Sequence, residues 1–226
     1  MKSTSIDKQS LSTNKTAKRV ATLLFESGAV IFRTSRPFKF TSGILSPVYS
    51  DNRLLISDVA KREEIADFFV EKIKKIKKVD VIAAVATAGI PHAAFVAQKL
   101  KLPLVYVRAT KKGHGLENQV EGRIRRWQTA VVIEDLVSTG QSSALAVKAL
   151  RKLGANADNL LAIFTYNLKT ANENFKKNKI NFQALCNLET AAGVAKENGY
   201  LKKEQVKTIL EWAKDPKNWA KKMGFA

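Results

Sequence analysis

Four short apolar runs, at residues 79–85, 104–107, 130–133 and 160–165, alternate with helical patterns that end near Lys101, Leu153 and Lys177. A strand buried on both faces needs apolar residues at almost every position, and a parallel neighbour is reached only through a crossover, usually a helix. The alternation therefore predicts an α/β fold, a central parallel sheet flanked by helices. A chain of 226 residues suits one such domain, large enough to bury its core without metals or disulfides. No internal repeat and no linker divides it.

The flanks read differently. Residues 1–15 are rich in Ser, Thr and Lys and are expected to fray. Over residues 16–27, Val20, Leu23 and Leu24 form a helical stripe that Gly28 ends. From residue 30 to 52, Phe32, Phe38, Phe40 and Tyr49 alternate with polar residues, punctuated by Pro37, Gly43 and Pro47, which predicts short antiparallel strands. Asp58 then caps a long helix whose apolar face is Val59, Ile65, Phe68, Phe69, Ile73 and Ile76. A last amphipathic helix covers residues 203–214, before a basic end bearing Trp219. The organisation predicted is one domain over 1–226. It comprises the fraying start, a helix and small N-terminal strand-rich flap or hood (16–56), an α/β core (57–190) and a C-terminal helical segment (191–226).

The net charge of +19 is compatible with nucleic acid, an anionic membrane or small anionic substrates. Much of it falls on amphipathic helices, as with Lys72, Lys74, Lys75, Lys77 and Lys78, and with Lys196, Lys202, Lys203, Lys207 and Lys214. Those lysines have no interleaved aromatics on which bases could stack, which points to a generally basic surface rather than a nucleic-acid partner. No apolar run approaches the roughly 20 residues that span a bilayer, and the polar N-terminus is not a secretory signal. The single cysteine, Cys186, reads as a buried strand thiol. The compartment expected is the cytoplasm.

Three glycine-bearing loops follow strands. The richest is Val131-Val132-Ile133-Glu134-Asp135-Leu136-Val137-Ser138-Thr139-Gly140-Gln141-Ser142. A buried strand ends in two carboxylates, and a hydroxyl-rich turn opens a helix whose first N–H groups have no helical partners. An anion fits at such a helix mouth, and Gly140 is expected to let it approach the backbone. The carboxylates would repel that anion, so their partners are hydroxyls or a divalent cation; a phosphorylated sugar offers both kinds of group. The bland alternative is a capped helix beside incidental acids. No Walker-type lysine follows, which disfavours a nucleoside-triphosphate loop. The second loop, Ala86-Thr87-Ala88-Gly89-Ile90-Pro91, taken alone matches any strand–helix turn, and His92 beyond it reads as a helix-surface residue. The third, at residues 108–117, concentrates Arg108, Lys111, Lys112 and His114 and carries Gly113 and Gly115. Its glycines and cations fit a lid that closes over a polyanion; a solvated basic loop is the plainer reading.

The string at 131–142 resembles the 5-phosphoribosyl 1-diphosphate (PRPP) signature of type I phosphoribosyltransferases. Within that superfamily the remaining segments are similar to orotate phosphoribosyltransferases. Ser42-Gly43-Ile44-Leu45-Ser46-Pro47-Val48-Tyr49 resembles that family's N-terminal flap. Arg108, Lys112, His114 and Gly115, followed by Val120-Glu121-Gly122, resemble its mobile catalytic loop. Ile163-Phe164-Thr165-Tyr166 resembles a later strand. The match covers roughly residues 17–190, in order.

The resemblance implies transfer of a phosphoribosyl group from PRPP to orotate, with Mg²⁺ as cofactor, in a homodimer whose subunits share their sites. It implies that Glu134 and Asp135 hold the ribose hydroxyls and that Leu136, Val137, Ser138, Thr139, Gly140, Gln141 and Ser142 cradle the 5-phosphate. Thr87, Ala88 and Gly89 join the PRPP site, and Arg108, Lys111, Lys112 and His114 reach the pyrophosphate from the neighbouring subunit. The catalytic set is then Lys112, His114, Arg108 and Asp135. Ser138, Thr41, Ser42, Gly43, Tyr49 and Arg53 fall on the orotate side. The magnesium is held mainly through PRPP, with Glu134 and Asp135 nearby. Many members carry a lysine where Thr41 stands, a second basic residue where Ala109 stands, and an arginine where this chain has Thr165-Tyr166-Asn167-Leu168. The orotate carboxylate therefore falls to Arg53 or to flap N–H groups. Two other readings share the PRPP loop: a purine or pyrimidine salvage transferase, and a PRPP-sensing regulator that binds nucleic acid. The flap speaks against the first and the Lys112/His114 loop against the second.

Overall fold

The computed structural model describes residues 5–40, 42–108 and 119–225, with residues 5–14 by backbone alone. Its centre is a six-stranded sheet in the order β10-β9-β8-β5-β6-β7. The strands are β5 (Val81–Val85), β6 (Leu104–Val107), β7 (Val120–Glu121), β8 (Thr129–Val137), β9 (Asn156–Thr165) and β10 (Asn181–Asn187). Every pairing is parallel except β6 with β7. The crossovers are α3 (Gly89–Leu100), α4 (Gln141–Lys152) and α5 (Lys169–Lys177), as the alternating runs predict.

Successive strand residues point to opposite faces, and both faces are covered. Ile82, Ala84, Val131 and Ile133 join a core with α3, α1 (Ser5–Glu26), α2 (Val59–Ile73), α6 (Leu188–Glu197) and α7 (Lys203–Lys214). Val81, Ala83, Val132 and Ala162 join the other, with α4 and α5. This explains why the strand runs carry no polar alternation.

The flap consists of two antiparallel pairs. In the first, β1 (Val30–Phe32) pairs with β4 (Val48–Ser50); in the second, β2 (Phe38–Lys39) pairs with β3 (Leu45–Ser46). Ser46 shapes the turn by donating from Oγ to the Val48 carbonyl at 2.7 Å. A 3-10 turn, Asn52–Ser57, leads on to α2, where the Asp58 carboxylate accepts from the Lys61 N–H at 3.0 Å. The C-terminal segment grips the flap from below. Trp212 of α7 is fully buried, donates from Nε1 to the Leu45 carbonyl at 3.0 Å, and meets Phe40 and Tyr166 edge-on. Truncating a buried indole of this kind costs on the order of 3–5 kcal/mol. Trp219, on α8 (Trp219–Lys222), is buried as well.

Four details depart from the sequence reading. The first helix extends back to Ser5, into the stretch expected to fray, because lengthening a nucleated helix costs far less than starting one. Val59 is 60% exposed, so the apolar face of α2 starts at Ile65. Strand β8 continues to Val137 because β9 still pairs with it, Val137 opposite Thr165. Helix α6 crosses residue 190, where the sequence reading divides the core from the C-terminal helical segment.

Candidate active site

Strands β8, β5 and β6 are adjacent and parallel, so their carboxyl ends lie side by side, about 5 Å apart. That places the loops at 138–140, 86–88 and the root of 108–119 along one edge. Open α/β sheets bind ligands at this edge.

The acid pair lies inside β8, and position matters here. Strand β5 accompanies β8 only as far as Ile133, opposite Ala84. From Glu134 onward β8 is freed on that side while β9 still holds the other. Glu134 is buried against the start of α4, accepting from Ser143 Oγ at 3.1 Å, from Ser142 Oγ at 3.4 Å, and from the Asp135 N–H at 3.2 Å. Burial raises its pKa well above the ordinary carboxylate range, and the neighbouring Asp135 charge raises it further.

The sign of its effect on stability follows. The folded chain keeps a proton on Glu134 at pH values where the unfolded chain has lost it, so its stability is undiminished in acid. Stability is lost as pH climbs from the ordinary carboxylate range through the raised value. Glu134→Gln is therefore expected to melt higher than the parent at mildly alkaline pH, with the two curves converging near pH 4. Thermal melts over a pH series check this; equal or lower melting throughout would show that the carboxyl is ionised in the folded state.

The mouth of α4 is held from outside. Gly140 occupies the cap position with φ +70°, and no side chain caps the helix. The direction a Cβ would take is filled by Phe175 of α5, with Cζ 2.6 Å away. The glycine is thus required by φ and by this ring. Asn174, also on α5, donates from Nδ2 to the Thr139 carbonyl at 2.9 Å. Gly89 is similar: a Cβ there would lie 2.8 Å from the Ile133 carbonyl oxygen, so glycine lets α3 pack directly on β8. Ala88 caps α3 with no side-chain bond. Thr87 accepts from the Ile90 N–H at 3.2 Å, and the Ala86–Thr87 peptide is cis.

On the flap side, Asn52 is wholly buried and donates from Nδ2 to the Asp135 carbonyl at 2.7 Å. This bond ties the flap to the acid pair. His92 lies beneath it, buried and not on the helix surface as expected, with Nε2 lacking a hydrogen-bond partner among the described residues. Burial lowers its pKa, against the pull of Asp135's charge and of a hydrogen bond to the Asn52 backbone. It is therefore neutral at neutral pH. Sequence carried a signal for this, since His92 shares the buried stripe Gly89, Ala93, Val96 and Ala97. Asn52, a polar residue in an irregular turn, carried none.

The other expected residues divide. Tyr49 is exposed on β4, with its ring 5.4 Å from Phe38. Ser42 is exposed, and Gly43 takes φ +85° in the turn before β3. Arg53 forms a two-point ion pair with Asp51, at 2.6 and 2.8 Å. Arg108 roots the third loop: its N–H donates to the Gln119 carbonyl at 2.9 Å, and its guanidinium meets Glu121 at 3.4 Å. Thr41, Lys111, Lys112 and His114 lie outside the described residues.

Comparison with known proteins bears on the family. Residues 57–180 match the phosphoribosyl transferase domain family. The chain is 45% identical over 204 residues to an orotate phosphoribosyltransferase of Coxiella burnetii, covering 90% of this chain and 98% of that protein. It is 46% identical over 208 residues to one from Enterococcus faecalis, covering 92% and 99%. Among solved structures, the orotate phosphoribosyltransferase of Aeropyrum pernix superposes with a TM-score of 0.70 at 30% identity, covering 81% of this chain and 99% of that one.

Proposed function

The chain belongs to the orotate phosphoribosyltransferase family, and from that premise we propose how its residues join orotate to the ribose of PRPP. The products are orotidine 5′-phosphate and pyrophosphate, in UMP synthesis. The observation that carries the reading is the freed end of β8: an acid pair between an uncapped helix mouth and a flap bonded to Asp135.

The 5-phosphate sits at the mouth of α4, taken by the N–H groups of residues 139–142 and by the hydroxyls of Ser138, Thr139 and Ser142. Asp135 and Glu134 meet the ribose hydroxyls. The diphosphate lies toward Thr87, Ala88 and Gly89. As the bond from the anomeric carbon to the pyrophosphate oxygen breaks, its electron pair leaves with pyrophosphate and the ribose ring gains positive charge. Arg108, Lys111, Lys112 and His114 meet that growing negative charge, from the partner subunit of a homodimer. The orotate ring nitrogen, placed by the flap, bonds to the opposite face of the carbon and releases its proton. The flap and the closing loop exclude water that would otherwise take orotate's place.

Among the described residues no three His, Cys, Asp or Glu converge as a metal cage. A magnesium ion would be a guest of the bound substrate, with Asp135 and Glu134 the side chains at hand to help hold it. Its contribution when bound is to neutralise charge on the leaving group. Among the described residues no helix is long and apolar enough to cross a membrane, and Cys186 is a buried free thiol; we place the enzyme in the cytoplasm.

The test is direct. Purified protein with magnesium and PRPP is expected to deplete orotate absorbance, while uracil and hypoxanthine remain. Consumption of hypoxanthine in place of orotate would transfer the reading to a salvage enzyme.

A further inference from the structure

The proposed reaction leaves much of the +19 charge without a role, and the fold shows where part of it gathers. The five parallel strands all begin at the edge opposite the catalytic loops. Each is preceded by an exposed cation, in sheet order Lys179 (β10), Lys152 (β9), Arg126 (β8), Lys78 (β5) and Lys101 (β6). With strands about 5 Å apart, the row spans roughly 20 Å. In the segments leading into these strands (74–80, 101–103, 122–128, 151–155 and 176–180) the sole carboxylate is Asp80. It is already engaged by the Thr129 N–H at 2.8 Å and by Lys78 at 3.4 Å.

At the middle strand of the row stands Trp127. It is 72% exposed, whereas Trp212 and Trp219 are buried. Its position is fixed by backbone rather than by packing: φ is +70°, and its N–H donates to the Gly154 carbonyl at 2.8 Å. The Arg126 guanidinium carbon lies 5.7 Å from the indole centroid, and Arg125 is exposed beside it. A solvated indole flanked by arginines, inside a cationic row, combines a stacking platform with a backbone track.

We propose that this edge of the sheet binds single-stranded nucleic acid, with phosphates along the cation row and an unpaired base on the indole of Trp127. The row is too long for one small anion. A duplex would leave the indole without an unpaired base. A membrane is the weaker fit, because the apolar surface that joins Trp127 here is little more than half-exposed Leu153, and insertion scales with buried apolar area.

Fluorescence anisotropy of a labelled oligouridylate of about 12 nucleotides tests this on the full chain. With about five phosphates neutralised, affinity is expected to fall about 100-fold between about 50 and 200 mM salt. Trp127→Ala is expected to weaken binding about 10-fold, Trp127→Phe to restore most of it, and the double variant Arg125→Glu, Arg126→Glu to flatten the salt dependence. Arg125, Arg126 and Trp127 are remote from the catalytic loops, so circular dichroism and orotate turnover should stay as in the parent; if Trp127→Ala fails to fold, the arginine variant carries the test. Saturating pyrophosphate should leave the complex intact. The proposal is overturned by no binding at low salt, by displacement with pyrophosphate, or by folded variants that bind as the parent does. Preferential capture by phosphatidylserine vesicles through Trp127 would also overturn it, giving the surface to membranes.

Discussion

Lys112→Ala is expected to lower kcat at saturating PRPP by about 100-fold or more, the scale for losing a group that stabilises charge developed only in the transition state. Saturation matters to the argument. A lysine that merely helped PRPP to bind would raise KM and leave kcat alone, whereas one that meets the departing pyrophosphate lowers kcat itself. The loop that carries it springs from a fixed stem, where Arg108 and Gln119 pair at the open ends of β6 and β7. An unchanged kcat would remove Lys112 from the chemistry. The same variant tests whether subunits share their sites. Mixed with Asp135→Asn chains, it should regain partial activity, because one hybrid site then holds an intact loop and an intact acid pair. Mixed dimers that form and stay dead would place the loop over its own subunit's site.

Gly140→Ala is expected to lower both activity and stability. The added methyl meets the Phe175 ring at 2.6 Å, and alanine at φ +70° costs about 1–2 kcal/mol before any clash. Relief requires moving either the ring or the turn that α5 holds through Asn174 and Thr139. A shift of about 1 Å at a site that positions a reacting group costs on the order of 100-fold. We therefore expect kcat/KM for PRPP to fall by about that factor, with a lowered melting temperature. Adding Phe175→Leu should recover part of the melting temperature, since it opens space, yet little of the activity, since φ remains unfavourable. Steady-state kinetics and thermal melts of the single and double variants check both halves. Parent-like kcat/KM in Gly140→Ala would mean that the turn is free to adjust.

These residues also show what a sequence discloses. The parallel sheet was legible because doubly buried strands must be apolar throughout, and the acid pair was legible as a break in such a run before a hydroxyl-rich turn. The partners that set the site's geometry were not. Phe175 against Gly140, Asn52 on the Asp135 carbonyl, and Trp212 beneath Leu45 each join segments far apart in the chain, and nothing local marks either end. Strand β8 outran its apolar run because Glu134, Leu136 and Val137 keep their pairing to β9. His92 went astray for the opposite reason: its polar character outweighed its place on a buried stripe. Trp127 was hidden by composition, since a basic surface with an aromatic at its centre becomes visible only when five strand starts are aligned.

Titration calorimetry of PRPP with magnesium into folded protein probes the central arrangement, a sugar diphosphate seated at the mouth of α4 beside Glu134 and Asp135. The expected result is saturable heat with one PRPP per chain, weakened sharply in Gly140→Ala. Absence of heat from well-folded parent protein, or equal binding by the variant, would contradict it.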